Sequence, residues 1–326
     1  MPSPGLRGAI DAVPARGYRW WYVDGLSDDG RRGFTAIFLV GSSFSPWLLR
    51  RMRRGEDAAP REHLGVHLAL YEEGREVGWA MSHYPGSALD ASADELRIGG
   101  SRLSVDEDGT LRAEFAERSA PAFFSRLGLG RALKGRMTLH PTGGAAPDAI
   151  ELGPPGGARH LWHVRAPSAR IEVEFDAPGF AFVGRGYHDT NWGEGRLEET
   201  FRRWSWSRFH DARGTRILYA VEPREGAPRG VVIDASDDRV EVRADRPAGF
   251  APTTPIGWGL SAPASFTIED PLAGEARVAR WLDRTPFYAR YVARLGEVDG
   301  VGEYLDLDRF TDPGVQFLLR WKGQRR

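Results

Sequence analysis

The chain contains no cysteine. Disulfides, thiolate catalysis, zinc–cysteine sites and iron–sulfur clusters are therefore excluded at the outset. Lysine is scarce too: Lys134 and Lys322 stand alone, and arginine carries nearly all the positive charge. With 44 basic and 45 acidic side chains, the formal net charge of −1 gives no electrostatic case for a nucleic-acid partner. No apolar run approaches the roughly 20 residues that span a bilayer. The stretch from Met1 to Arg19 has scattered Pro and Gly and no apolar centre, unlike a secretory signal. A cytoplasmic location is the expectation.

What is abundant points the other way, toward turns and large cores. The 326 residues include 40 Gly, 22 Pro and 11 Trp, and 41% are hydrophobic. That length suits two ordinary domains or one large all-β domain. Each tryptophan brings bulk and an N–H that needs a partner. So many of them fit either a large apolar cavity or two β cores.

Period-two alternation dominates, and with it the strand reading. Ile171–Phe175 and Arg239–Arg243 alternate cleanly. Leu103–Val105 and Leu111–Phe115 flank an Asp-Glu-Asp-Gly turn as a hairpin, and His67–Tyr71 and Val77–Met81 flank Glu72-Glu73-Gly74 as another. Phe34–Val40 is a continuous apolar run of the buried-strand kind, and Ile217–Val221 and Val231–Ile233 are short strands. Helical signals are few: Ser45-Pro46 opens a short helix through Met52, and Pro286–Leu295 reads as a second. The expected fold is mainly β, as barrels or sandwiches. The Gly/Pro/Ala-rich stretch Pro141–Gly157 reads as a loop inside a domain. A boundary is placed where strand patterning gives way to charge near Trp192–Arg196, dividing the chain into residues 1–192 and 193–326.

Several segments, in order along nearly the whole chain, resemble the hydroxyneurosporene synthase family. They are Trp20–Arg31, Gly41–Pro46, His160-Leu161-Trp162, Gly186–Asn191, Leu197–Arg208, Thr285–Arg290 and Leu305–Phe310. The resemblance implies two packed lipocalin-like antiparallel β domains. It also implies a carotenoid 1,2-hydratase, a hydro-lyase that needs no cofactor and no metal. Its substrate would be a long acyclic isoprenoid such as neurosporene or lycopene, with water as the second reactant. The family's His-x-Trp and Tyr-x-Asp pairs fall on His160, Trp162, Tyr187 and Asp189.

Hydrating a trisubstituted alkene means protonating carbon and then letting water capture the tertiary cation. Asp189 is the candidate acid, kept neutral if burial disfavours its anion; on its own it also reads as a turn residue bonding the Thr190–Asn191 backbone. Strand alternation puts Tyr187 and Asp189 on one face, and His160 and Trp162 on one face. Trp162 and Tyr187 offer rings to a cation, a gain of about 2 kcal/mol in a dry site, or serve as core aromatics. His160 orients the acid, holds water, takes back a proton, or is structural. Substrate contacts are expected from Trp21, Asp24, His188, Asn191, Trp192, Trp204 and Trp206. Among these, His188 points to the opposite strand face, Asn191 positions water or braces the turn, and Asp24 also reads as a strand-end cap.

Other functions stay open. A cyclase or isomerase would share the protonation step, and Trp192 and Ser205, where the family has other residues, leave room for a differently shaped pocket. A lipocalin-like carrier would bind the polyene unchanged. His63 and His67 are four apart, but no His-Glu-x-x-His motif is present and His67 opens a strand. No phosphate-binding glycine loop follows a strand. A carotenoid is longer than a barrel is deep, so peripheral contact with the inner membrane is expected, through Phe123-Phe124 or the basic Trp47–Arg54 segment.

Overall fold

The alternating segments fold as strands in the computed structural model of the chain, which describes residues 6–56, 58–119, 130–176, 179–236 and 238–326. The strands are β1 (Tyr18–Ser27), β2 (Arg32–Val40), β3 (Leu64–Glu72), β4 (Arg75–Tyr84), β5 (Leu89–Ala91), β6 (Glu95–Ile98), β7 (Ser101–Val105) and β8 (Leu111–Ser119). Next come β9 (Arg131–Pro141), β10 (Ile150–Glu151), β11 (His160–Phe175), β12 (Phe180–Gly193), β13 (Phe201–Asp211), β14 (Gly214–Pro223), β15 (Arg229–Ala235) and β16 (Val240–Phe250). The last are β17 (Thr253–Gly257), β18 (Leu260–Pro263), β19 (Ser265–Ile268), β20 (Glu275–Arg284), β21 (Tyr288–Leu295), β22 (Val298–Asp306) and β23 (Gln324–Arg325). The fold is mainly β with few helices, as the alternation requires. Among the described residues, no helix is long and apolar enough to cross a membrane.

Contacts divide the chain into two units. The first comprises Met1–Thr142, Ala169–Arg196 and Phe317–Arg326; the second comprises Gly143–Ser168 and Leu197–Gln316. The units are therefore not the contiguous halves drawn from the sequence. The chain crosses at Thr142, inside the Gly/Pro/Ala-rich stretch read as an internal loop, and crosses back within β11.

In the first unit the strand order is β4-β3-β2-β1-β12-β11-β9-β8-β7-β6-β5, with β23 beside β4. The Ala169–Phe175 half of β11 pairs with β9. The sheet curls, so that Phe34 and Phe38 from β2 meet Phe115 from β8 at 5.8 and 5.9 Å between ring centres, and Phe175 stacks on Phe115 at 5.7 Å. Each buried Phe is worth about 1.5–3 kcal/mol of transfer free energy. Both hairpins form as read. At the β3–β4 turn, Glu73 and Gly74 both take positive φ (50° and 74°), the backbone that matches the twist of paired strands.

The helix α1 (Leu6–Asp11) precedes β1, and α2 (Pro46–Arg53) follows β2. Ser45 caps α2 by accepting from the Leu48 N–H at 3.3 Å. Leu48 and Leu49 are buried, Trp47, Arg51 and Met52 are half-buried, and Arg50, Arg53 and Arg54 are exposed. The Phe123-Phe124 pair lies outside the described residues.

The second unit is a closed barrel, β13-β14-β15-β16-β19-β20-β21-β22, with β17 and β18 as a separate pair. Phe209, Leu218, Val232, Phe266, Tyr291 and Tyr304 fill it. The Pro286–Leu295 segment is strand β21 rather than a helix. Ala289, Tyr291 and Ala293 alternate into the barrel core, and β20 and β22 supply hydrogen bonds on both sides. A helix there would forfeit both ladders.

Inside the first unit sits a buried acid, Glu117, which is 1% exposed. Ser101 donates to it at 2.7 Å, Tyr84 at 3.1 Å, and Ser82 donates as well. Burial, opposed by these donors, pushes its carboxyl above the usual 4.5. The unfolded carboxyl then loses its proton at lower pH than the folded one, so stability falls as pH rises above about 4.5. Thermal unfolding of wild type and Glu117→Gln across this range checks it: the Gln variant is expected to lose less stability toward neutral pH, and parallel profiles refute the assignment.

Candidate functional site

The β1–β12 ladder builds the site. Its register sets Trp20 opposite Asn191, Tyr22 opposite Asp189, and Asp24 opposite Tyr187. Directly opposed residues in antiparallel strands share a face, so two carboxyls and two phenols alternate in a checkerboard. The reverse face pairs Arg19 with Trp192, Trp21 with Thr190, and Val23 with His188. That reverse face continues to Phe38 and Phe34, the core of the first unit. The acid face thus points away from the core that holds its strands together.

Asp189 is 5% exposed, Tyr187 and Asp24 are 0%, and Asn191 is 4%. The Tyr187 hydroxyl donates to Asp189 Oδ2 at 2.7 Å, and Asn191 Nδ2 donates to Oδ1 at 2.8 Å. Each Asp189 oxygen therefore has its own donor. The Tyr22 hydroxyl donates to Asp24 Oδ2 at 3.3 Å, and the two tyrosine rings meet edge-on at 6.1 Å. Asn191 Oδ1 is buried and has no hydrogen-bond partner among the described residues. Asp189 and Asp24 both lie within continuous strands, so neither is the turn or strand-end residue that the sequence also allowed. Asn191 likewise braces no turn.

Four sequence candidates, Asp24, Tyr187, Asp189 and Asn191, therefore share one face. Trp21, His188 and Trp192 do not. His188 donates from Nδ1 to the Tyr22 carbonyl at 2.9 Å, fastening the two strands from behind. The Arg19 guanidinium lies over Trp192 at 4.5 Å and Trp21 at 5.5 Å. Sequence reasoning missed Tyr22 and Trp20 as site residues. The signal was available, since alternation through Trp20-Trp21-Tyr22-Val23-Asp24 places them on the face of Asp24.

His160 and Trp162 lie on the part of β11 that belongs to the second unit. Trp162 is opposite Ile150 of β10, and its ring meets Tyr219 edge-on at 5.0 Å. His160 packs against Phe201 at 5.4 Å and Trp204 at 6.5 Å. Burial among these rings lowers the His160 pKa to about 3, so the ring is neutral. Trp204 and Trp206 alternate with Ser205 and Ser207 along β13; Ser207 contacts the hydroxyl of the core residue Tyr291, so the tryptophans sit on the outer face of the barrel wall. His63 precedes β3 and His67 lies within it, so they do not share a helix face. Among the described residues, no group of three or more His, Cys, Asp or Glu side chains could hold a metal ion.

Known proteins resemble this chain along most of its length. The family described as carotenoid hydratase CrtC matches residues 36–326. The acyclic carotenoid 1,2-hydratase of Thiocapsa roseopersicina is 36% identical, over 99% of this chain and 76% of its own length. That of Rubrivivax gelatinosus is 35% identical, over 96% and 75%. Among solved structures, an AttH protein from Nitrosomonas europaea shares the fold with a TM-score of 0.63 at 13% identity, covering 94% of this chain and 98% of its own.

The neutral state of His160 carries a stability consequence. Its folded pKa is depressed, so its contribution is complete above the ordinary histidine value of 6.5 and is lost as pH falls. At pH 5 the loss amounts to about 2 kcal/mol. His160→Asn is expected to show a shallower acid decline in unfolding free energy than wild type; identical slopes from pH 7 to 5 would mean that the ring is not held neutral.

Proposed function

Because this chain belongs to the carotenoid hydratase CrtC family, we propose that it hydrates the terminal double bond of a long acyclic carotenoid with Asp189 as the acid, without a cofactor. The observation that carries this reading is a buried carboxyl whose two oxygens each face a separate donor.

Taken out of water, a carboxyl favours its neutral form. In that form Asp189 gives its proton to the inner carbon of the terminal alkene. The alkene's electron pair forms the new C–H bond and leaves a tertiary cation on the outer carbon. The carboxylate left behind is received by the Tyr187 hydroxyl and the Asn191 amide, whose hydrogen bonds strengthen as the charge appears. The Tyr22 and Tyr187 rings share the face of Asp189 and offer aromatic surface to the cation. Asn191 Oδ1, an unused buried acceptor, is suited to hold the attacking water. Water bonds to the cation, loses a proton and restores the acid, so that the sum is the alkene plus one water. His160 and Trp162, the positions of the family's His-x-Trp pair, lie in the second unit.

Incubation with lycopene or neurosporene in isotopically labelled water tests the reaction. Labelled oxygen at the chain terminus is the expected product. A cyclised or rearranged hydrocarbon without label would assign the cation to internal capture, and a polyene recovered unchanged would favour a carrier. Asp189→Asn is expected to keep its unfolding temperature within a few degrees and to lose about 100-fold or more in kcat, the usual worth of a positioned acid. Retained turnover would remove Asp189 from that role.

A further inference from the structure

The acid face does not stop at β1. Tyr22 stands opposite Ile37, Ile37 opposite His67, and His67 opposite Met81. Asp189, Tyr22, Ile37, His67 and Met81 therefore form one row on one face, crossing β12, β1, β2, β3 and β4 in turn. At the usual strand spacing the row is about 19 Å long. The Trp79 ring flanks it, edge-on to His67 at 5.8 Å.

Burial changes along this row. Asp189 and Tyr22 are 5% and 6% exposed, whereas Ile37, His67, Met81 and Trp79 are half-buried. One residue away on the reverse face, Phe38, Val66 and Ser82 are fully buried. A face committed to the core would be closed throughout. A face made for water would carry charges, as β4 does farther along at the exposed Arg75 and Glu76. This one is largely apolar and aromatic, partly open at its far end, and continuous with the buried acid.

We propose that the row seats the substrate's apolar polyene tail, running across the strands from Asp189 toward Met81. The inference rests on the hydratase reading for the identity of the tail, and on the registers and burial for its path. The terminal double bond lies at the dry end beside Asp189 and Tyr22. The conjugated chain passes over Ile37 and His67 and leaves past Trp79 and Met81. An apolar ligand gains by covering these half-open side chains, and an extended polyene is long enough to follow the row across the five strands. Neither the His-x-Trp nor the Tyr-x-Asp pair marks these positions, so the row reads chain length independently of the chemistry at Asp189.

Ile37→Trp, which fills the middle of the row, and Met81→Glu, which puts a charge at its outer end, test the path. Both positions are half-buried, and unfolding temperature reports whether each variant is folded. Hydration is measured with lycopene and with a short acyclic terpene bearing the same terminal group, and lycopene binding is followed by quenching of tryptophan fluorescence. The ratio of kcat/KM for the long over the short substrate is expected to fall about tenfold or more in each variant, with lycopene binding weakened in parallel. An unchanged ratio with wild-type lycopene binding overturns the path and leaves the hydratase untouched. If wild type hydrates neither substrate while both variants still weaken lycopene binding, the row stands and the chemistry assigned to Asp189 falls.

Discussion

A carboxyl group removed from water must either keep its proton or be met by donors, and buried Asp189 is met by two, the Tyr187 hydroxyl and the Asn191 amide. For the acid role proposed for Asp189, two donors in a wet cleft would favour an ionised aspartate with no proton to give, and burial without donors would make the conjugate base too costly to form. Strand β12 holds these three side chains, Tyr187, Asp189 and Asn191, buried at alternate positions.

The division of labour between the two faces of β1 and β12 follows from that demand. The reverse face is packed against the phenylalanine cluster, and His188 ties the two backbones from that side. Rigidity is thereby supplied from behind, so the acid face can be spent on polar groups, which contribute little to packing. Trp21 and Trp192, read from the sequence as substrate contacts, belong to this supporting side with Arg19 between them.

The sequence made legible whatever depends on residues close together in the chain. Alternation located the strands, the Glu72-Glu73-Gly74 and Asp106–Gly109 turns located hairpins, and the two-residue spacing of Tyr187 and Asp189 placed them on one face. What stayed hidden is non-local. Nothing near Tyr22 announces that its neighbour across the ladder is residue 189, because strand pairing over such a separation is decided by the whole sheet. The same limit explains Pro286–Leu295, where a proline start suggested a helix but the two flanking strands of the barrel decided the outcome. It also explains Pro141–Gly157, whose composition marks flexible backbone and does not say that the chain there passes from one unit to the other.

The β1–β12 ladder carries a further meaning for how such a chain can change over time. Its side chains repeat every two residues, so a slip of a single position would turn the whole set over. His188 and Thr190 would then take the places of Tyr187 and Asp189, and the acid would be driven against the phenylalanines. An insertion or deletion of one residue within either strand would therefore turn the set over unless a β-bulge absorbed it, as bulges do in the β3–β4 and β20–β21 pairs. Diversification is left to side-chain exchange at fixed register, and to the strands farther along the row.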